Sequence, residues 1–180
     1  YNYRDKIWYY GQLNRTTWID AGISTHPLAT SGGYIYTHEN GPNNGQPLGA
    51  APVAMDSYIE SSFMDIADGE FYMLTKRVIP DVDFTASQTT NPVTGATLVP
   101  AVDMSVAVTK FPGAATATTD VAGTTLTRNV VTAASTIDQY TDQVFIRARG
   151  RQMSFKISSN TLGTQWQLGD TRVDAKPDGM

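Results

Sequence analysis

Hydrolysis of a glycosidic bond by acid–base catalysis needs one carboxyl to donate a proton and a second to act as base or nucleophile. The chain holds only three glutamates, Glu39, Glu60 and Glu70. Glu60 falls on the polar face of an alternating run and Glu70 in a turn, which are ordinary solvated positions. Its two histidines, His26 and His38, each lie beside a turn, and no G-x-S-x-G elbow presents a serine to either. Metal ligation meets the same shortage. The histidines are twelve apart with no second ligand pair at usable spacing, and Asp65, Asp68 and Glu70 fall short of a full D-x-D-x-D-G calcium loop, so that turn would hold a cation weakly at most. The chain has no cysteine, which removes thiol nucleophiles, thiolate metal sites and disulfides. The glycine-rich pieces, Ser31-Gly32-Gly33 and 41–49, carry no Lys-Ser or Lys-Thr and open no helix, so they read as loops and not as phosphate cradles. Asn14-Arg15-Thr16 satisfies the glycosylation triplet but has no secretory signal ahead of it. No catalytic residue, metal ligand or cofactor is expected.

Arginine chemistry is different. Arg147, Arg149, Arg151 and Arg172 are four of the thirteen basic residues and sit in one C-terminal block. The first three occupy alternate positions, so they would project from one side near a strand end, and a guanidinium fork suits bidentate contact with carboxylate or phosphate. Two readings stand. In one, the arginines pair with acidic groups such as Asp142, Asp170 and Asp174 or with a neighbouring subunit; in the other they touch a phosphate backbone or another anionic partner. The net charge of −4 favours the first, because general affinity for nucleic acid needs an excess of cations. With Trp166, these arginines are the expected subunit-interface residues.

The elements that would carry them read as strands. Val144, Ile146 and Ala148 alternate with Phe145, Arg147 and Arg149; after Gly150, Met153, Phe155 and Ile157 alternate with Ser154, Lys156 and Ser158. Thr164 to Leu168 adds a third run, with Trp166 and Leu168 on one face, so the block reads as a three-stranded antiparallel meander. Upstream, Val102, Met104, Val106 and Val108 give the clearest strand of the middle third, stopped by Phe111-Pro112-Gly113. Met55 to Phe63 also alternates, and the turn Asp65 to Glu70 would pair 58–63 with 71–78 in a hairpin, followed by a strand at Phe84. From Ala114 to Ser135 the composition shifts to Ala, Thr, Gly and Val, which reads as a long surface hairpin or an arm ordered against a neighbour.

The first residues, aromatic-rich from Tyr1 to Tyr10, resemble two short strands around a charged turn at Arg4 to Lys6. Trp8 and Trp18 are ten apart and Gly11 and Gly22 eleven apart, a rhythm found within propeller blades or meanders. Ser31-Gly32-Gly33 then turns the chain into a strand at Tyr34 to Tyr36, and the Asn, Gly and Pro run from Glu39 to Gly45 marks the main boundary. Hydrophobic residues are 41% of the 180, enough for a core. Nothing approaches eighteen consecutive apolar residues, so no membrane anchor is expected. The chain lacks an initiating Met and begins inside an apparent strand, as the C-terminal piece of something longer would. The fold class is all-β: terminal strands of a propeller-like or meander region over 1–43, then an antiparallel β-sandwich over 44–180 with a Thr/Ala-rich hairpin at 114–135.

Several phrases carry a resemblance beyond class. They are YNY…WYYG with the following Leu, Arg-Thr, Trp, Asp and Gly (1–22), Tyr36 with His38-Glu39 and Gly41, YIESSFMDIADGEFYML (58–74), Arg77 with Ile79-Pro80-Asp81, FPG (111–113), RGRQMSFKISSNTLGTQWQLG (149–169) and the closing Arg172, Asp174 and PDG (177–179). Together they resemble the C-terminal part of a family of tailed-bacteriophage virion structural proteins, similar in layout to tail nozzle or tail tube components of short-tailed phages. The gaps fall at 85–100 and 114–135. The resemblance implies a non-enzymatic virion component, copies assembling with other tail proteins in a ring around the channel through which double-stranded DNA passes. It also implies that Tyr1 to Tyr36 end a larger propeller-like domain. An acidic wall suits such a conduit, because it repels phosphate. A carbohydrate-binding sandwich of a receptor-recognising tail protein, stacking sugars on Trp8, Trp18 or exposed tyrosines, is the alternative, and a glycan hydrolase the third.

Overall fold

A computed structural model describes residues 3, 4, 6, 11–44, 50–110, 118–119, 125–126 and 130–179. The chain divides into two compact units, one of Tyr1–Gly41 with Gly45–Ala51, the other of Pro42–Asn44 with Pro52–Met180. In the first, β1 (Thr17–Ile19), β2 (Leu28–Ser31) and β3 (Tyr34–Thr37) form one antiparallel sheet in the order β1-β2-β3. Gly32 and Gly33, at φ 57° and 82°, make the turn between β2 and β3, the left-handed pair that matches the twist of a two-residue hairpin. The sheet is a meander; neither a propeller nor a closed barrel is formed among the described residues. Tyr3, Arg4 and Lys6 lie in turn conformation, and the two strands expected around them, with Trp8, lie outside the described residues.

The second unit carries β4 (Asn43–Asn44), β5 (Val53–Ala54), β6 (Ser57–Glu60), β7 (Met64–Asp65), β8 (Met73–Ile79), β9 (Val82–Asp83), β10 (Ala101–Thr109), β11 (Thr118–Thr119), β12 (Thr125–Leu126), β13 (Val130–Asp138), β14 (Val144–Gly150), β15 (Gln152–Ser159), β16 (Gln167–Leu168) and β17 (Arg172–Pro177). The all-β expectation holds: two antiparallel sheets dominate, β13-β10-β15-β6 with β7 also on β15, and β14-β8-β17. Their inward residues meet in one buried cluster, with Val102, Met104 and Val106 of β10 facing Val78 of β8 and Ile146 and Ala148 of β14. Met104 is 0% exposed, and burying a side chain of that kind contributes about 1.5–3 kcal/mol. Period-two alternation is therefore what builds both layers.

Partnering differs from the expected scheme in three places. The C-terminal meander is not formed: β14 pairs with β8, β15 with β10, β6 and β7, and β16 with β9. The 58–63 with 71–78 hairpin is not formed either, because β6 joins β15 while β8 lies between β14 and β17. The run 55–63 is interrupted after Glu60. There Ser61 bonds β15 through both its backbone and its hydroxyl, taking the Phe155 N–H on Oγ at 3.0 Å and giving its own N–H to the Phe155 carbonyl at 2.9 Å. Phe84 is buried beside β9 and not in a strand. Of the expected arm at 114–135, the segment from Val130 is part of the edge strand β13, paired with β10 over nine residues, and β11 pairs with β12; 114–117, 120–124 and 127–129 lie outside the described residues.

The change of sheet between β14 and β15 happens at Gly150. A Cβ there would lie 2.6 Å from the Thr109 carbonyl oxygen and 2.8 Å from Val108 Cβ, so the backbone passes where no side chain fits, and the Arg151 N–H donates to the Thr109 carbonyl at 2.7 Å. The β13 to β14 connection is a side-chain turn. Asp138 Oδ1 accepts from Thr141 Oγ1 at 2.8 Å and from the Tyr140 N–H at 2.9 Å, bonds that hold its carboxyl below the usual carboxylate range. Thr109 itself is 2% exposed and its hydroxyl has no hydrogen-bond partner among the described residues. Two substitutions at this crossing should therefore move stability in opposite directions. Gly150→Ala is expected to lower it by about 1–3 kcal/mol through overpacking, and Thr109→Val to raise it by about 1 kcal/mol by removing an unpaired buried hydroxyl. Urea denaturation checks both, and a neutral Gly150→Ala would show that the crossing has slack.

Candidate functional site

Directly opposed residues on antiparallel strands share a face. In β14, Val144, Ile146 and Ala148 point into the core while Phe145, Arg147 and Arg149 are exposed. Phe145 stands opposite Arg77 and Arg149 opposite Leu74 of β8; on the far side, Arg172, Asp174 and Lys176 of β17 stand opposite Ile79, Arg77 and Leu74. The outer face of this three-stranded sheet thus gathers Lys76, Arg77, Arg147, Arg149, Arg172 and Lys176. Register shifts fall between Phe145 and Ala148 and between Asp174 and Ala175, both at the level of Lys76. Such bulges sharpen the local twist and re-aim side chains. Here Leu74, Lys76, Phe145, Ile146 and Arg147 border an open groove of about 460 Å³, and Phe145 is 76% exposed.

Two carboxylates answer the six cations. Arg77 lies 3.8 Å from Asp174, and Arg149 holds Asp178 through Nε at 2.5 Å and through Nη2 on the Asp178 carbonyl at 2.7 Å. These pairs are largely solvated, so each is worth at most about 1 kcal/mol. Among the described residues, Lys76, Arg147, Arg172 and Lys176 have neither an ion pair nor a hydrogen bond. The expected row of three arginines does not act as one. Arg151 lies beyond the crossing and donates through Nη1 to the Gly69 and Glu70 carbonyls at 2.8 and 2.7 Å, pinning the turn in which Asp68 and Gly69 take φ 54° and 78°. Arg149 and Arg151 sit 4.3 and 4.8 Å from the Tyr72 ring centroid. Asp142 and Asp170 are not their partners. Trp166 is partly buried against the core and donates Nε1–H to Ser57 Oγ at 3.0 Å, which removes it from the surface set. Only Arg147, Arg149 and Arg172 of the expected residues share the outer face. Lys76, Arg77, Lys176 and Phe145 were missed there; alternation around Phe145 and the Lys76-Arg77 pair in a strand were the signals.

The other candidate chemistries are placed as follows. Glu60 lies opposite Lys156 on β15 with 3.7 Å between their charged atoms, and Glu39 is exposed in the first unit. No three His, Cys, Asp or Glu side chains among the described residues are placed to hold a metal ion. In the first unit His38 accepts the Arg15 Nε–H at 3.0 Å and lies 4.6 Å from the Trp18 ring, while Arg15 sits 4.1 Å over Tyr36. Trp18 is 51% exposed, so the sugar-stacking platform is open on that residue. Asp83 accepts from the Thr85 hydroxyl and N–H, which hold its carboxyl below the usual range. No family model, no curated protein and no solved structure matches this chain.

The outer face separates a structural arginine from a free one. Arg149→Ala is expected to lower stability by about 1 kcal/mol, since it releases the Asp178 tether and the Tyr72 stack, whereas Arg147→Ala should stay within about 0.5 kcal/mol of the parent. Thermal and urea unfolding of the two variants side by side give the comparison; equal losses would mean that Arg147 has a partner in the fold.

Proposed function

We propose that this chain is a non-enzymatic structural component of a bacteriophage virion, a tail nozzle or tail tube piece. It acts by packing against copies of itself and other tail proteins in a ring around the DNA channel. The reading is supported by the phrases at 58–74 and 149–169 that resemble virion structural proteins. The observation that carries it is the outer face of β14-β8-β17, where Phe145 stands exposed among unpaired cations. An aromatic left in water forgoes about 1.5–3 kcal/mol of burial, and a rim of unpaired arginine and lysine around it is the composition of a contact surface. Such a face would be turned away from the channel, because cations on the wall would hold the DNA phosphates that must slide past.

The test is assembly of the full chain, followed by sedimentation and electron microscopy. Rings or defined oligomers are expected, and the double variant Phe145→Ala with Arg147→Ala should weaken association by about tenfold or more, about 1.4 kcal/mol, with an unchanged melting temperature. Isolated particles that turn over a substrate would overturn the reading. A second reading, sugar recognition in the first unit, is favoured by the half-exposed Trp18 beside His38. It predicts a saturable change in tryptophan fluorescence on titration with bacterial-surface oligosaccharides, absent in Trp18→Ala.

A further inference from the structure

The second large sheet has an outer face of opposite character. Asp103 of β10 stands opposite Thr136 and Ser158, Asp138 opposite Ala101, Glu60 opposite Lys156, and Asp65 opposite Gln152. Same-face pairing therefore puts four carboxylates on this surface against the single cation Lys156 among the described residues. Asp103 is held by the Thr136 hydroxyl at 2.7 Å, and the Asp138 turn bonds keep that carboxylate anionic. Between the acids, Ser105, Ala107 and Ala134 present short side chains, with Lys156 opposite Ser105 and the half-exposed Tyr58 opposite Ser158 beside them.

We infer that the outer face of β14-β8-β17 docks on the outer face of β13-β10-β15-β6 of a second copy. Cations would lie against carboxylates, and Phe145 would be set on the Ser/Ala floor. The two faces back onto one shared core, so they look away from each other and no single copy can satisfy both. The contact is heterologous, each copy offering one face forward and the other behind, and such contacts close into a ring or run on as a filament according to the angle between neighbours. Charge of opposite sign on the two faces also rejects face-to-like-face pairing, which would oppose cations to cations. The inference rests on the assembly reading above and names the surfaces it uses.

Charge reversal tests it. One variant carries Lys76→Glu, Arg147→Glu and Lys176→Glu, the other Asp103→Lys and Glu60→Lys, and association of the full chain is measured by sedimentation equilibrium at about 50 and about 500 mM NaCl, where screening differs several-fold. Each variant alone is expected to associate at least about tenfold more weakly than the parent, while an equimolar mixture regains association, because one then presents two acidic faces and the other two basic ones. Regain in the mixture also shows that both variants are folded, and each melting curve confirms it. A parent that associates while both variants do so equally well overturns the docking and leaves assembly standing. A parent that remains monomeric at every concentration overturns both. If the basic-face variant loses binding to a 30-base-pair DNA duplex without any change in self-association, the face serves nucleic acid, and the inference fails.

Discussion

A backbone passing too close to its neighbour to carry a side chain organises the second unit. At Gly150 the chain slides over Thr109 with space for hydrogen only, and the Arg151 N–H is tied to the Thr109 carbonyl on the way through. Residues adjacent in sequence are thereby delivered to different layers, β14 to one sheet and β15 to the other. Because β14 keeps its alternation up to the crossing, its apolar side must face the core it is leaving, and Phe145, Arg147 and Arg149 must face out. The charged surface is a consequence of that passage and needs no separate device to orient it. Asp138 and Thr141 do the matching task at the other end, closing the step from β13 to β14 with side-chain bonds that leave the strands free to diverge.

Strands were far more legible than their partners. The alternation of β10, β14 and β15 follows from local spacing, since Val102, Met104, Val106, Val108, Val144, Ile146, Ala148, Met153 and Ile157 are all buried. Pairing is a non-local choice, and proximity in sequence misled it at Gly150. A signal was present even so: one residue, Arg151, separates β14 from β15, whereas the tightest common hairpin needs two. The hairpin expected around Asp68-Gly69 failed for a related reason. The turn exists with its left-handed residues, but Arg151 holds its carbonyls, and the flanking strands are claimed by longer, better-buried neighbours.

The site divides the same way. Arg147 and Arg149 were readable because they share a strand with an unmistakable apolar face. Lys76, Arg77 and Lys176 come from segments about seventy and thirty residues away, brought level by a register that no local pattern encodes. Arg151 and Trp166 have the right chemistry for a surface but satisfy it internally, on carbonyls in one case and on Ser57 in the other. A guanidinium or an indole N–H is indifferent to whether its acceptor belongs to the same molecule, and only the folded geometry decides.

The margins of the two sheets carry a last consequence. The strand pair β6 and β7 is broken by Ser61, whose hydroxyl stands in for a backbone group, and β17 ends with Lys176 and Pro177. Neither border offers a long, flat row of free amides and carbonyls on which a stray extended peptide could template itself. A polypeptide made almost wholly of strands runs a standing hazard of amyloid-like polymerisation, and these interruptions blunt backbone addition at two of the four margins, β13 and β14 forming the others.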